Sequence, residues 1–350
     1  MTNARKIRVL VVDDSAIVRR ILTEALGAEP DLEVVGTAPD PFIARDKILA
    51  LKPDVLTLDI EMPRMDGLTF LRKLMQYHPM PAIVISSMAQ ASCRAALEAL
   101  RLGAVEVLAK PGGPYSVGEL RMGLANKIRA AASAHVRSPA TASAPAAPVP
   151  EPVMRRPAGG PAVIAIGAST GGTEAIREVL LRLPADGPPI VVTQHIPPVF
   201  SLAFARRLNE TCPMEVREAA NGDEARPGLA LVAPGDRHML LRKAPGGYRV
   251  AVMDGPRVCW QRPSVDVLFG SVAEVAGGDA VGVLLTGMGA DGAQGLLRMK
   301  QAGAWTIAQD EATCVVFGMP REAIRLGAAA RVAPLLRIPA AIWEPAAKTA

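Results

Sequence analysis

The chain reads as an α/β protein made of two doubly wound parallel-sheet domains, and three observations point there. At 350 residues it is longer than one ordinary core fills and suits two domains, each able to bury a sizeable interior. Short β-rich runs alternate with segments of helical period in both halves, the pattern of parallel strands with helices on the sheet faces. Between the halves, residues 138–161 hold seven prolines and six alanines with no apolar period, which describes an extended linker. The expected organisation is a first domain over residues 6–128, a Pro/Ala-rich linker over 129–160 and a second domain over 161–345. No internal repeat relates the two halves.

Composition narrows the function classes. Half of the residues are apolar, yet charged residues, Gly or Pro interrupt every apolar run well before the roughly 18 residues of a membrane span, so no membrane insertion is expected. The N-terminus lacks a signal-peptide pattern, and a cytoplasmic monomer is expected. Cys93, Cys212, Cys259 and Cys314 lie far apart without a Cys-x-x-Cys pair, which predicts reduced, buried thiols rather than a zinc site or a disulfide framework. The pI near 9.2 invites a nucleic-acid reading, but the charge is spread. Residues 1–132 carry 17 Lys/Arg against 15 Asp/Glu, residues 133–160 carry 3 against 1, and residues 161–350 carry 19 against 18. No basic footprint results, and no nucleic-acid partner is expected.

In the first half, strand-like runs fall at 7–12, 34–35, 55–58, 82–85 and 105–108, with helical patterns at 15–26, 41–51 and 68–76. Functional groups of such a sheet gather at the carboxyl ends of its strands, and here those ends carry Asp13-Asp14, Asp59, Ser86 and Lys110. Three clustered carboxylates repel one another and are tolerable at neutral pH only beside a cation. Mg²⁺ fits an oxygen-only ligand set, and Lys110 supplies further positive charge. An aspartate held in this way can attack phosphorus and form an acyl phosphate.

These residues and the segment Asp59-Ile-Glu-Met-Pro-Arg-Met-Asp-Gly67 resemble the receiver domain of two-component response regulators over residues 6–128, a flavodoxin-like fold. The resemblance implies that Asp59 is the phosphoacceptor and that Asp13 and Asp14, with Asp59 and the Glu61 backbone carbonyl, hold Mg²⁺. It also implies that Ser86 is the switch hydroxyl and that Lys110-Pro111 is the lysine-proline signature. One departure stands out: the position three before Lys110, often aromatic in receivers, is Val107. Asp66 and Gly67 read as turn residues without chemistry.

In the second half, strand-like runs at 162–166, 190–193, 229–232, 280–285 and 305–308 again alternate with helical stretches, which predicts a second, Rossmann-like parallel sheet. The first run is followed by Gly167-Ala-Ser-Thr-Gly-Gly172 and a helical pattern over 173–183. A serine on such a strand-to-helix turn exposes its hydroxyl at the carboxyl edge of the sheet, where amides opening the helix can face an oxyanion. The same six residues would also suit a phosphate-binding turn, or plain turn chemistry with Ser169 incidental. A nucleophile needs a base. Of the four histidines, His78 lies in the first domain and His135 precedes the linker, which leaves His195 and His238. His195 closes a strand-like run on the same predicted rim as Ser169, whereas His238 begins a strand and is expected at the opposite rim. Either could instead be a surface histidine bonded to backbone. A carboxylate completing a triad is best placed at Asp291, with Asp266 and Asp310 as rivals that could instead bind substrate or order loops; Asp236 and Asp254 look like turn residues. In that arrangement Ser169 attacks an acyl carbon, His195 moves its proton and Asp291 orients the imidazole, with the Thr170 and Met288 amides as oxyanion donors.

The chain order Ser, His, Asp differs from the Ser, Asp, His order of ordinary α/β-hydrolases. It is similar to that of the receptor-modifying methylesterases of bacterial chemotaxis, in which a catalytic domain follows a receiver. Residues 161–345 resemble that domain in Gly167 to Gly172, Gln194-His195, Ala233-Pro-Gly-Asp-Arg-His238, Arg262-Pro-Ser-Val-Asp-Val-Leu268, Thr286-Gly-Met-Gly-Ala-Asp-Gly292 and the segment 309–320. The resemblance implies a phosphorylation-regulated hydrolase of glutamyl methyl esters that also deamidates glutamines on methyl-accepting chemoreceptors. It implies a chemotaxis histidine kinase as phosphodonor and no cofactor for the ester reaction. Two other readings remain: a receiver fused to a binding output such as a transcriptional regulator, which would require a basic recognition helix, and a degenerate catalytic domain serving as a scaffold.

Overall fold

A computed structural model of the chain describes residues 5–87, 89–110, 117–134, 136 and 160–344. Pro111 and His135 lie outside these residues, as does most of the expected linker. The described residues fall into two compact units, one within Met1–Pro145 and one within Ala146–Ala350.

The first unit runs β1 (Ile7–Val12), α1 (Ala16–Gly27), β2 (Leu32–Ala38), α2 (Pro41–Leu51), β3 (Val55–Asp59), α3 (Gly67–Tyr77), β4 (Ala82–Ser86), α4 (Gln90–Arg101), β5 (Glu106–Ala109) and α5 (Val117–Ala132). Its strands form one parallel sheet in the order β2-β1-β3-β4-β5. Both faces are covered by helices, so β3 and β4 are buried along their whole length and read as continuous apolar runs. Helix starts are set by local side chains: Ser15, Asp40 and Asp66 each accept a hydrogen bond from an amide in the first turn of α1, α2 and α3. Helix α5 extends to Ala132, so the first four residues of the expected linker belong to it; Arg129 ties that turn down through ion pairs to Glu29 and Asp31. The strand order reverses between β1 and β3, which opens a crevice at their carboxyl ends.

The second unit contains β6 (Val163–Ala168), α6 (Gly172–Leu180), β7 (Ile190–Gln194), α7 (Pro198–Thr211), β8 (Glu215–Glu218), β9 (Glu224–Ala225), β10 (Leu229–Val232), β11 (His238–Ala244), β12 (Gly247–Met253), α8 (Val265–Ala276), β13 (Ala280–Leu284), α9 (Ala293–Gln301), β14 (Trp305–Gln309), α10 (Met319–Arg325), β15 (Arg331–Ala333) and α11 (Ile338–Ala341). Seven strands form a parallel sheet in the order β15-β14-β13-β6-β7-β10-β8, while β11, β12 and β9 make a small antiparallel sheet. From β6 the chain winds outward through β7, then returns to place β13 on the other side of β6. That reversal is the topological switch point, and ligands of open α/β sheets bind in the crevice it opens. The central strands β6, β7, β10 and β13 are fully buried, and Phe200, Phe204 and Phe269 fill the space between sheet and helices.

Among the described residues, no helix is long and apolar enough to cross a membrane. All four cysteines are free. Cys93 and Cys314 are buried as expected, but Cys212 is half-buried and Cys259 is exposed, because it sits at the tip of a turn rather than on a core element.

Candidate active site

The β6–β7 register pairs Ala168 with Gln194, so Ser169 and His195 leave adjacent strands side by side at the carboxyl edge, roughly 5 Å apart along the sheet. The His195 amide donates to the Ala168 carbonyl at 3.1 Å, and the Gln194 side-chain amide donates to the Ser169 carbonyl at 2.8 Å. The Ser169 turn is also tied to the segment just after β13: the Ser169 amide donates to the Thr286 carbonyl at 3.0 Å, and the Thr286 hydroxyl donates to the Thr170 carbonyl at 3.0 Å. The turn then closes with the Gly172 amide on the Ser169 carbonyl at 2.7 Å, which requires a left-handed residue between; Gly171, at φ 76°, supplies it.

Asp291 sits in the loop after β13 and accepts four hydrogen bonds. His195 Nε2 lies 2.7 Å from Oδ2, which also takes the Val265 amide at 2.8 Å. Oδ1 takes the Ser264 hydroxyl at 2.8 Å and the Asp266 amide at 3.1 Å. Ser264 caps α8, so the carboxylate rests on a helix N-terminus, where amide dipoles favour negative charge. Burial would raise the Asp291 pKa, but His195 and these two amides hold it below the ordinary carboxylate value. Nε2 thus carries the proton that Asp291 accepts, and Nδ1 is buried without a hydrogen-bond partner among the described residues. No hydrogen bond joins the Ser169 hydroxyl to the ring among the described residues.

Gly287 packs directly on Ser169: a Cβ there would lie 2.7 Å from Ser169 Cβ and 2.3 Å from Met319 Sδ. Met288 therefore follows a residue packed against Ser169. Thr170 is buried beside Ser169 at the start of the turn.

The rivals have other duties. Asp266 accepts from the Gly295 amide at 2.6 Å and so helps start α9, while Asp310 caps the short turn at 311–313 through the Thr313 amide. Asp236 pairs with Arg262 and Arg257, and Asp254 with Arg237. His238 is not at the opposite rim. Its Nδ1 accepts from the amide of Ser264, the residue whose hydroxyl bonds Asp291, at 3.2 Å, and its Nε2 meets the Pro256 carbonyl at 2.8 Å, so both nitrogens are engaged with backbone. The expectation failed because β11 belongs to the small antiparallel sheet, which runs back beneath the α8 start rather than continuing the parallel one. Ser264, Gln194 and Thr286 were not singled out as site residues from the sequence. Only Ser264 had a recognisable signal, a serine just before an apolar helical run.

In the first unit, Asp59 is buried at the end of β3 and Lys110 Nζ lies 2.7 Å from its Oδ2 and 3.8 Å from Asp13 Oδ2. Carboxylate oxygens of Asp13, Asp14 and Asp59 lie within 4.8 Å of one another, and Asp13 Oδ2 is buried without a hydrogen-bond partner. Burial, and then the charge of Asp59, push Asp13 up to about 6 against the pull of the Ser15 amide and Lys110. Burial also raises Asp59, with Lys110 opposing it. An orphaned oxygen among three mutually repelling carboxylates fits a hard divalent cation. Ser86 is buried at the end of β4, its hydroxyl near the Ser87 and Ser92 carbonyls, and the Glu61 side chain accepts from the Ser87 and Ser92 hydroxyls. Val107 is buried in β5. Asp66 caps α3, and Gly67 lies so close to β3 that a Cβ would fall 2.1 Å from the Asp59 carbonyl.

A doubly wound sheet with a serine turn at its switch point and a buried His–Asp pair beside it has the makings of a serine hydrolase, here preceded by a carboxylate-and-lysine sheet edge. Comparison with known families agrees: residues 164–342 match the CheB methylesterase family and residues 9–119 the response regulator receiver domain. A protein of Syntrophus aciditrophicus named protein-glutamate methylesterase/protein-glutamine glutaminase is 56% identical over 335 residues, covering 94% of this chain and 96% of that protein. The similarly named protein of Escherichia coli is 52% identical, covering 95% of each. The crystal structure of the Thermotoga maritima CheB methylesterase catalytic domain superposes with a TM-score of 0.51 at 38% identity, covering 53% of this chain and 98% of that one. The chain belongs to the CheB methylesterase family and carries a response-regulator receiver domain.

Proposed function

We propose that the protein hydrolyses glutamyl methyl esters, and deamidates glutamines, on chemoreceptors in the cytoplasm, through a Ser169–His195–Asp291 triad whose use is governed by phosphorylation of Asp59. The observation that carries the reading is the buried His195–Asp291 pair at 2.7 Å, emerging beside Ser169 from adjacent strands. In the first step Ser169 Oγ attacks the glutamyl carbonyl carbon while Nδ1 of His195 takes the hydroxyl proton. The C–O bond to the methoxy group then breaks, the proton passes to the leaving oxygen, and methanol departs. Water repeats the sequence on the acyl-enzyme and leaves a carboxylate. A glutamine side chain follows the same path with ammonia as the leaving group. Asp291 stays ionised and fixes the imidazole with its Nδ1 lone pair toward the serine, and the Met288 and Thr170 amides receive the oxyanion.

In the receiver, the Asp13, Asp14 and Asp59 carboxylates with the Glu61 carbonyl would hold Mg²⁺, which when bound neutralises charge on the phosphoryl oxygens. Lys110 does the same from the other side, and Asp59 is the acceptor of a phosphoryl group from the chemotaxis histidine kinase. Phosphorylation converts the Asp59 carboxylate to an acyl phosphate and changes what Lys110 can pair with, a local event that can be read out elsewhere in the chain. The reading predicts methanol release from methylated receptor membranes that rises when a small-molecule phosphodonor and Mg²⁺ are added. Asp59→Asn or chelation of Mg²⁺ should remove the rise and leave the basal rate. A fragment of residues 161–350 should be at least as fast as the unphosphorylated chain. A rise that persists in Asp59→Asn, or a fragment slower than the unphosphorylated chain, would contradict the regulatory part.

A further inference from the structure

The loop between β12 and α8 holds a single indole out in solvent beside the triad. Val258 and Gln261 exchange backbone hydrogen bonds of 3.0 and 2.8 Å, which leaves Cys259 and Trp260 as the two central residues of a tight turn. Both have positive φ, 48° and 65°. Two-residue turns of this kind demand that conformation and are usually filled by Asn-Gly; a bulky side chain there is an outlier. Strain of this sort persists only where the surroundings over-determine it. Here they do: Arg262 grips Asp236 at 3.0 Å and the Gly255 carbonyl at 2.7 Å, and His238 meets the Pro256 carbonyl at 2.8 Å.

The strained position secures no core packing. Trp260 is 78% exposed, the most exposed large hydrophobic side chain among the described residues. Its neighbour Cys259 lies 3.7 Å from Asp266 through its sulfur, and ligand atoms of Cys259, Asp266 and Asp291 all fall within 4.8 Å of one another. The indole therefore stands one residue from contact with the carboxylate that orients His195. Other exposed apolar side chains leave the same edge of the sheet: Met288 in the loop after β13, and Val199 and Leu202 one turn apart on α7, just beyond His195. Arg257 on the same loop is exposed and makes a long 3.5 Å contact to Asp236.

We propose that Trp260, on this pinned turn, is the specificity-determining contact for a helical protein substrate, an amphipathic α-helix that carries the glutamyl ester. The inference rests on the methylesterase reading above. Side chains three or four residues apart on a helix lie about 5–6 Å from one another, so a helix that feeds one glutamyl group to Ser169 brings a residue of the next turn to the rim. The indole takes an apolar residue of that turn, and Arg257 faces an acidic side chain beside it. Trp is the residue type that most often anchors such contacts.

The test compares Trp260→Gly and Trp260→Phe with the wild-type full chain on two substrates: methylated receptor membranes and a small N-acyl glutamate γ-methyl ester. Glycine suits the positive φ, so Trp260→Gly should be at least as stable as the wild type. Its KM for receptor should rise about tenfold or more with kcat unchanged, Trp260→Phe should recover most of the loss, and small-ester hydrolysis should be unaffected. An unchanged receptor KM would overturn the proposal. So would an equal loss on the small ester, which would make the turn a mere support for Asp291, or a raised basal rate at unchanged KM, which would make the indole a cover for the chain's own receiver. If the wild type released methanol from neither substrate, the esterase reading itself would fall, a result distinct from all of these.

Discussion

Replacing Asp291 with Asn should lower kcat/KM for ester hydrolysis by about 10⁴-fold, equivalent to about 5 kcal/mol of transition-state stabilisation. All four groups around this carboxylate are donors: the Val265 and Asp266 amides, the Ser264 hydroxyl and the His195 Nε2 proton. An asparagine must turn its NH₂ toward one pair of them. Facing Asp266 and Ser264, it sets a donor against an amide that cannot rotate. Facing Val265 and His195, it drives the ring to carry its proton on Nδ1, which removes the lone pair Ser169 needs. Asp266→Asn should cost far less, since that side chain serves the start of α9. The same variant carries a pH signature. Because the Asp291 pKa is depressed in the folded chain, its contribution to stability is present above the unfolded value of about 3.9 and is lost as the pH falls through the lower folded value. The stability gap between wild type and Asp291→Asn, read by denaturant unfolding, should therefore be constant near neutrality and shrink below about pH 4. A rate within tenfold of wild type would remove Asp291 from the mechanism.

Gly172→Ala should be the most damaging one-carbon change in the nucleophile turn. A Cβ at this position would fall 2.1 Å from Gln194 Oε1 and 2.6 Å from Ala168 Cβ. Neither neighbour can give way cheaply: Ala168 ends the buried strand β6, and Gln194 is buried with its amide committed to the Ser169 carbonyl. Overpacking of this kind costs about 1–3 kcal/mol of stability. The functional loss should be larger, because pushing Gln194 aside releases the serine turn, and a misplacement of about 1 Å can cost about 10²-fold in rate. Thermal unfolding and methanol release measured on the same preparation would separate the two effects. A variant with wild-type rate and lowered stability would show that Gln194 does not position Ser169.

Much of both sheets was legible because their strands are long apolar runs covered on both faces, as at 7–12, 190–194 and 229–232. The elements that went unread are short or weakly patterned. Strands β9 and β15 have two and three residues, too few for a period to show, and three of the four residues of β8 are charged. Helix α4 is rich in small alanines, which dull its apolar stripe. In the candidate site, Ser169, His195 and Asp291 could be singled out because each follows an apolar strand and strand ends share a rim. The partners of Asp291 could not. Ser264 and the α8 amides reach it from a helix that starts nearly thirty residues earlier in the chain, a proximity created by winding rather than by spacing. His238 was misplaced for the same reason, since a strand that begins with histidine does not announce which sheet it joins.

The central claim is that the Ser169 hydroxyl is the nucleophile, and methanol release from methylated chemoreceptor by Ser169→Ala tests it most directly. The account predicts a folded protein whose rate falls by about 10⁴- to 10⁶-fold, with ammonia release from receptor glutamines lost in parallel. Methanol release within a few-fold of wild type would contradict it.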